Sequence, residues 1–151
     1  MIHYILIPII IGTLATLAMS LFLWTITYLK ICDVNMERAI GSWFTGKEKN
    51  SLLPGMLIHL CFGILFCFAY LYVFNVVPNP MNDVSFYAFF GAGLGFVHGI
   101  IVALCLVILV APDHPLRKYQ KAGFAVAAYH FFAHIIYGFA VGALYLWLFH
   151  G

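Results

Sequence analysis

Apolar residues run almost unbroken through four stretches, Ile2 to Leu29, Leu52 to Val77, Val84 to Ala111 and Ala122 to Phe149, and polar residues gather between them. A helix rises about 1.5 Å per residue, so roughly 20 residues cross a hydrocarbon core of about 30 Å, and each stretch is long enough. Lipid offers backbone amides no partner, which obliges each stretch to close its own hydrogen bonds as a helix. Short connections then predict an all-α integral membrane protein: one four-transmembrane-helix, up-and-down bundle over residues 1–151. Pro78 and Pro80 break the chain after the second stretch, and Pro112 and Pro115 after the third.

Composition agrees. Of 151 residues, 65% are hydrophobic and 8% charged, with a mean hydropathy of +1.04. Soluble domains carry about a quarter charged residues, so the lipid bilayer is the expected solvent and a nucleic-acid partner is excluded. The first stretch lacks a basic leader and is too long for a signal peptide, which predicts a retained span. Cys32 falls in a connection, and Cys61, Cys67 and Cys105 fall in spans without CxxC spacing, so no disulfide framework is expected.

Charge sets the expected orientation. Lys30, Arg38, Lys47 and Lys49 lie between spans one and two, Arg117, Lys118 and Lys121 lie between spans three and four, and the other connection has no basic residue. Loops rich in Lys and Arg resist translocation. Residues 30–51 and 112–121 are therefore expected in the cytoplasm, with both termini and the Asn79 to Asp83 turn outside. In the first loop, Asp33 can cap a helix carrying Val34, Ile40, Trp43 and Phe44 among Glu37, Arg38 and Lys47. That segment reads either as a short helix on the membrane surface or as an irregular loop anchored by Trp43, and neither reading gives it chemistry.

Spans two and four share a spacing: His59-x3-Gly63-x6-Tyr70 against His134-x3-Gly138-x6-Tyr145. Spans one and three carry matching stripes of small residues at every fourth position, Gly12, Thr16 and Ser20 against Gly91, Gly95 and Gly99, which allow close helix approach. Two tandem helical hairpins, related by an axis along the membrane normal, are the expected internal repeat.

Seven histidines complete the polar inventory. His3, His114 and His150 fall at span ends, where headgroups or water explain them. His59, His98, His130 and His134 fall inside spans, roughly 10 to 22 Å from the basic ends, where an unpaired imidazole is costly and a functional role is the default hypothesis. Interhelical hydrogen bonding, a proton relay, haem ligation and metal binding all suit imidazole. For haem b, His59 with His134 is the first-choice axial pair and His98 with His130 the second. For copper, Met19 joins His59, His98 and His134. The spans contain no Asp or Glu, which removes carboxylate catalysis and leaves Ser20 without an acidic orienter for a triad.

Gly12-x2-Ala15-Thr16-x2-Met19-Ser20 in the first span, with His59-x3-Gly63 and His134-x3-Gly138, resembles a family of small four-span bacterial membrane proteins known only as a domain of unknown function. The resemblance implies the four-helix fold and a bacterial inner membrane, and no activity. The longer first loop, His98 and His130 depart from that pattern.

Small size, missing catalytic groups and 15 Phe with 9 Tyr lead to one expectation: a non-catalytic accessory subunit of a larger respiratory or redox complex, stabilising it or lining a cofactor or quinone site, with larger membrane subunits as partners. A haem- or copper-binding electron-transfer protein is the alternative, and an oligomeric proton-linked carrier the second alternative.

Overall fold

The computed structural model describes residues 3–77 and 83–149. Pro78, the turn from Asn79 to Met81 and Asn82, and His150 lie outside the described residues, as does the side chain of His3. The helices are α1 (His3–Tyr28), α2 (Met36–Thr45), α3 (Leu52–Val76), α4 (Val84–Cys105), α5 (Arg117–Gln120) and α6 (Phe124–Phe149). Four of them, α1, α3, α4 and α6, are long and apolar enough to cross a membrane, and together they make an all-α bundle. These helices match the four apolar stretches to within a few residues at most ends. The third span differs in kind: α4 continues through a π-helical turn, Leu106–Val110, in which the Ala111 N–H reaches the Leu106 carbonyl at 2.8 Å. Such wide turns leave a helix locally uneven, and they recur at functional sites.

Packing follows the small residues. A Cβ added at Gly12 would come within 2.8 Å of the Ile64 Cα, and one at Gly99 within 2.8 Å of the Phe131 carbonyl, so the glycines let α1 meet α3 and α4 meet α6 nearly backbone to backbone. Gly91 and Gly138 face each other in the second of these contacts. α1 also lies against α6, while α3 and α4 touch at few points. Ile11, Ala15, Leu23, Phe74, Tyr137 and Val141 fill the centre. α4 is the span least covered by the rest of the chain, 11% buried against 44% for α6.

The first loop departs from expectation in three respects. It forms a helix, but α2 does not lie free on a surface: Gly41 meets the Ser51 carbonyl and Gly55 meets the Glu37 carbonyl, locking α2 across the start of α3. Its cap is Asn35, whose Oδ1 accepts from the Arg38 N–H at 3.0 Å, and not Asp33. Asp33 instead accepts from Lys118 Nζ at 2.9 Å, and Lys118 also donates to Glu48 Oε1 at 2.6 Å, tying α5 to the first loop. Gly46 closes α2 in the left-handed region at φ 66°, returning its N–H to the Ser42 carbonyl.

A buried polar cluster and an adjoining cavity

Locking α2 against α3 carries Glu37 into the bundle, where it is 0% exposed. Trp24 Nε1–H donates to Glu37 Oε2 at 2.8 Å, and His59 Nδ1 lies 3.3 Å from Oε1. Ser20 Oγ lies 3.4 Å from the same His59 nitrogen. The expectation that no carboxylate reaches the bundle interior, and that Ser20 has no acidic neighbour, is therefore corrected: the acid comes from the loop and not from a span. Burial works to raise the Glu37 pKa, but hydrogen bonds from His59, Ser20, its own backbone and Trp24 outweigh it and hold the carboxyl at about 2. Serine and glutamate share one ring nitrogen, so the relay of a hydrolytic triad, which needs both nitrogens, is not formed.

The other three intramembrane histidines sit on α4 and α6. His130 donates Nδ1–H to the Val126 carbonyl at 2.7 Å, and His134 donates Nδ1–H to the His130 carbonyl at 2.7 Å. A carbonyl can only accept, so each of these rings keeps its lone pair on Nε2. His98 Nδ1 meets the Tyr70 hydroxyl at 3.3 Å, and its ring packs on Phe66 at 4.2 Å and on His134 at 4.7 Å between centroids. The close imidazole contact is thus His98 with His134, while His59 turns toward Glu37. Met19 is buried in the apolar core. Among the described residues no three His, Cys, Asp or Glu side chains converge as a metal site. Among the described residues, two buried side-chain nitrogens have no hydrogen-bond partner, His98 Nε2 and His130 Nε2.

His114 is also relocated. It is 2% exposed and not at a wet surface: Nε2–H donates to the Ala39 carbonyl at 3.0 Å and Nδ1 accepts from the Leu116 N–H at 3.0 Å, with Trp43 against its ring. Two prolines bracket it, and the turn they make folds it under α2.

Between α2, the π-helical turn and the start of α6 lies a cavity of about 410 Å³. Met36, Ile40, Trp43, Leu106, Val110 and Val126 give it an apolar wall, His114, Lys118 and Tyr119 contribute polar atoms, and His130 belongs to the wall as well. The site leaves little trace in the sequence because its wall comes from the loop, a span end and a wide helical turn. The one available signal was the amphipathic spacing of Ile40, Trp43 and Phe44 beside α6. No protein-family model, curated protein or solved structure matches the chain.

Proposed function

We propose that this chain is a non-catalytic accessory subunit of a larger redox assembly in a bacterial inner membrane, and that it holds one amphipathic, lipid-soluble molecule of quinone-like shape in the cavity beneath α2. The cavity itself carries the reading: about 410 Å³, apolar for most of its wall, with a few polar groups among its lining residues. Ligand sites of about 300–1,000 Å³ with that balance are usual for small apolar molecules. The basic loops at this end favour a cytoplasmic side by the distribution of Lys and Arg. Phe89, Phe96, Val97, Ile101, Leu104 and Ile108 give α4 an exposed apolar face for lipid or a larger subunit.

The tandem-hairpin reading gains support from packing, since Gly12 lies against Gly63 in one pair of helices as Gly91 lies against Gly138 in the other. Haem or copper ligation is the second reading, favoured by the partnerless Nε2 atoms of His98 and His130, the second-choice axial pair. It ranks below the first because Gly95 and Gly99 bring α4 onto the α6 backbone beside His134 and leave little width for a macrocycle.

Solubilisation from native membranes in mild detergent, followed by mass spectrometry of proteins and small molecules and an absorption spectrum, tests both. The proposal expects larger subunits and one stoichiometric amphipathic molecule. A lone, ligand-free chain contradicts it, and a Soret band or stoichiometric copper moves the assignment to the second reading.

A further inference from the structure

We propose that His114 is a proton-operated pin in the wall of the cavity beneath α2: the neutral ring fastens α2 to the turn after the third span, and the protonated ring lets go and releases the bound molecule. This rests on the reading of the cavity as a ligand site.

Both ring nitrogens of His114 are spent on backbone partners, and those partners fix the proton. The Ala39 carbonyl, 3.0 Å from Nε2, can only accept, so Nε2 carries a hydrogen. The Leu116 N–H, 3.0 Å from Nδ1, can only donate, so Nδ1 presents a lone pair. A second proton has to go onto Nδ1, where it would point at the Leu116 N–H. The imidazolium therefore cannot keep this turn, and at 2% exposure the ring has almost no water to turn to instead. A buried charge without a partner is costly, so the protonated ring leaves its slot and gives up the Ala39 carbonyl as well.

The charged and titratable groups around the ring supply no such partner. From α5, Lys118 pairs with Asp33 before α2 and Glu48 after it, and the Tyr119 hydroxyl turns to the same Glu48 Oε1. On α2, Glu37 is held by Trp24 and His59, and Arg38 reaches the Glu48 carbonyl at 3.4 Å. His130 of α6 gives its Nδ1 hydrogen to the Val126 carbonyl. Asp113 and Arg117, exposed on the turn itself, flank the ring with opposite charges.

What leaves with the ring is part of the wall. His114, Ala39, Trp43 and Tyr119 all line the cavity, and the imidazole meets Trp43 at 5.2 Å and Tyr119 at 4.8 Å between centroids, edge to face in both cases. α2 packs along α3 and touches the other wall elements at few points, so this ring is a main tie across the site. Lys118 keeps its two carboxylates, which makes the change a local breach of the wall and not an unfolding of α2. Histidine changes charge in the range from about pH 5 to about pH 8, so mild acidification at the basic end is the signal for release.

The test measures equilibrium binding of a tritiated decyl-tailed benzoquinone, a probe with no group that titrates in this range, to the full chain in detergent micelles at pH 7.5 and pH 5.5. Protection of the Leu116 amide against hydrogen exchange, corrected for its intrinsic rate, is read on the same samples. Affinity is expected to fall about tenfold at the lower pH, the scale of one buried hydrogen bond, together with the protection of Leu116. His114→Gln, whose neutral amide can both donate and accept, should bind the probe equally at the two pH values. Constant affinity or constant Leu116 protection in the native chain, or a pH dependence that survives in His114→Gln, overturns the inference and leaves the cavity reading standing. Failure of the probe to bind at either pH overturns both. The paired measurements on the native chain decide the matter even if His114→Gln does not fold.

Discussion

A carboxylate removed from water is tolerated only when donors surround it, and Glu37 has Trp24 and His59 at its two oxygens with Ser20 beside them. Breaking such a buried pair from one side leaves the partner stranded, so Glu37→Ala should cost about 3 kcal/mol, read by chemical unfolding in detergent. The same group gives the fold a pH dependence of known sign. Its carboxyl is held at about 2, below the 4.5 of a free glutamate, so its contribution is complete above about 4.5 and fades as pH falls from there toward 2. Melting temperatures measured from pH 7 to pH 3 should therefore drop below pH 4.5 in the native chain and drop less in Glu37→Gln; parallel curves would remove the group from the account. None of this was visible in the sequence, because a carboxylate in a polar loop is 22 residues from the histidine it meets. What joins them is the contact between Gly41 and Gly55, a tertiary event with no periodic signature. His114 is equally illegible in the sequence, since the Ala39 carbonyl that holds it lies 75 residues away.

Helix-scale features were far more legible. Lipid removes every alternative to a helix, so long apolar stretches fix the four spans to within a few residues at most ends, and stripes of small residues foretell which faces touch. Gly91 illustrates the rule. It faces the backbone of Gly138, whereas Gly93, two residues on, has open space where a Cβ would stand. Gly91→Leu should pry α4 from α6 and destabilise the bundle by about 2 kcal/mol, while Gly93→Ala should be neutral or slightly stabilising. Unfolding of the two variants in mixed micelles checks the contrast, and equal losses would refute the assigned interface. The spacing of Val34, Ile40, Trp43 and Phe44 allowed a helix at α2 but did not show it clamped to α3. The π-helical turn left no mark, since Leu106–Val110 reads as ordinary apolar span. Both elements border the cavity, which explains why the site was harder to foresee than the fold.

Across the whole molecule, charge separates two ends: α2, α5 and all seven Lys and Arg lie at one. If that end faces the cytoplasm, a cysteine at Lys47 or Lys121, in a chain whose native cysteines are replaced by alanine, should react with an impermeant maleimide only after the inner membrane is opened. Labelling in intact spheroplasts would invert the topology. The ion pairs of Lys118 with Asp33 and Glu48 are close to half exposed and screened, so they position α5 and the cavity rim more than they stabilise the fold.

The central claim, that the cavity beneath α2 is built to be filled, is tested most directly by comparing the small molecules that co-purify with the native chain and with Ala39→Trp, whose indole would occupy the space between α2 and α6. The account predicts one amphipathic molecule, near one per chain, on the native protein and its loss from Ala39→Trp while the fold and melting behaviour persist. An unchanged complement of bound molecules in the plugged variant, or none on the native chain, would contradict it.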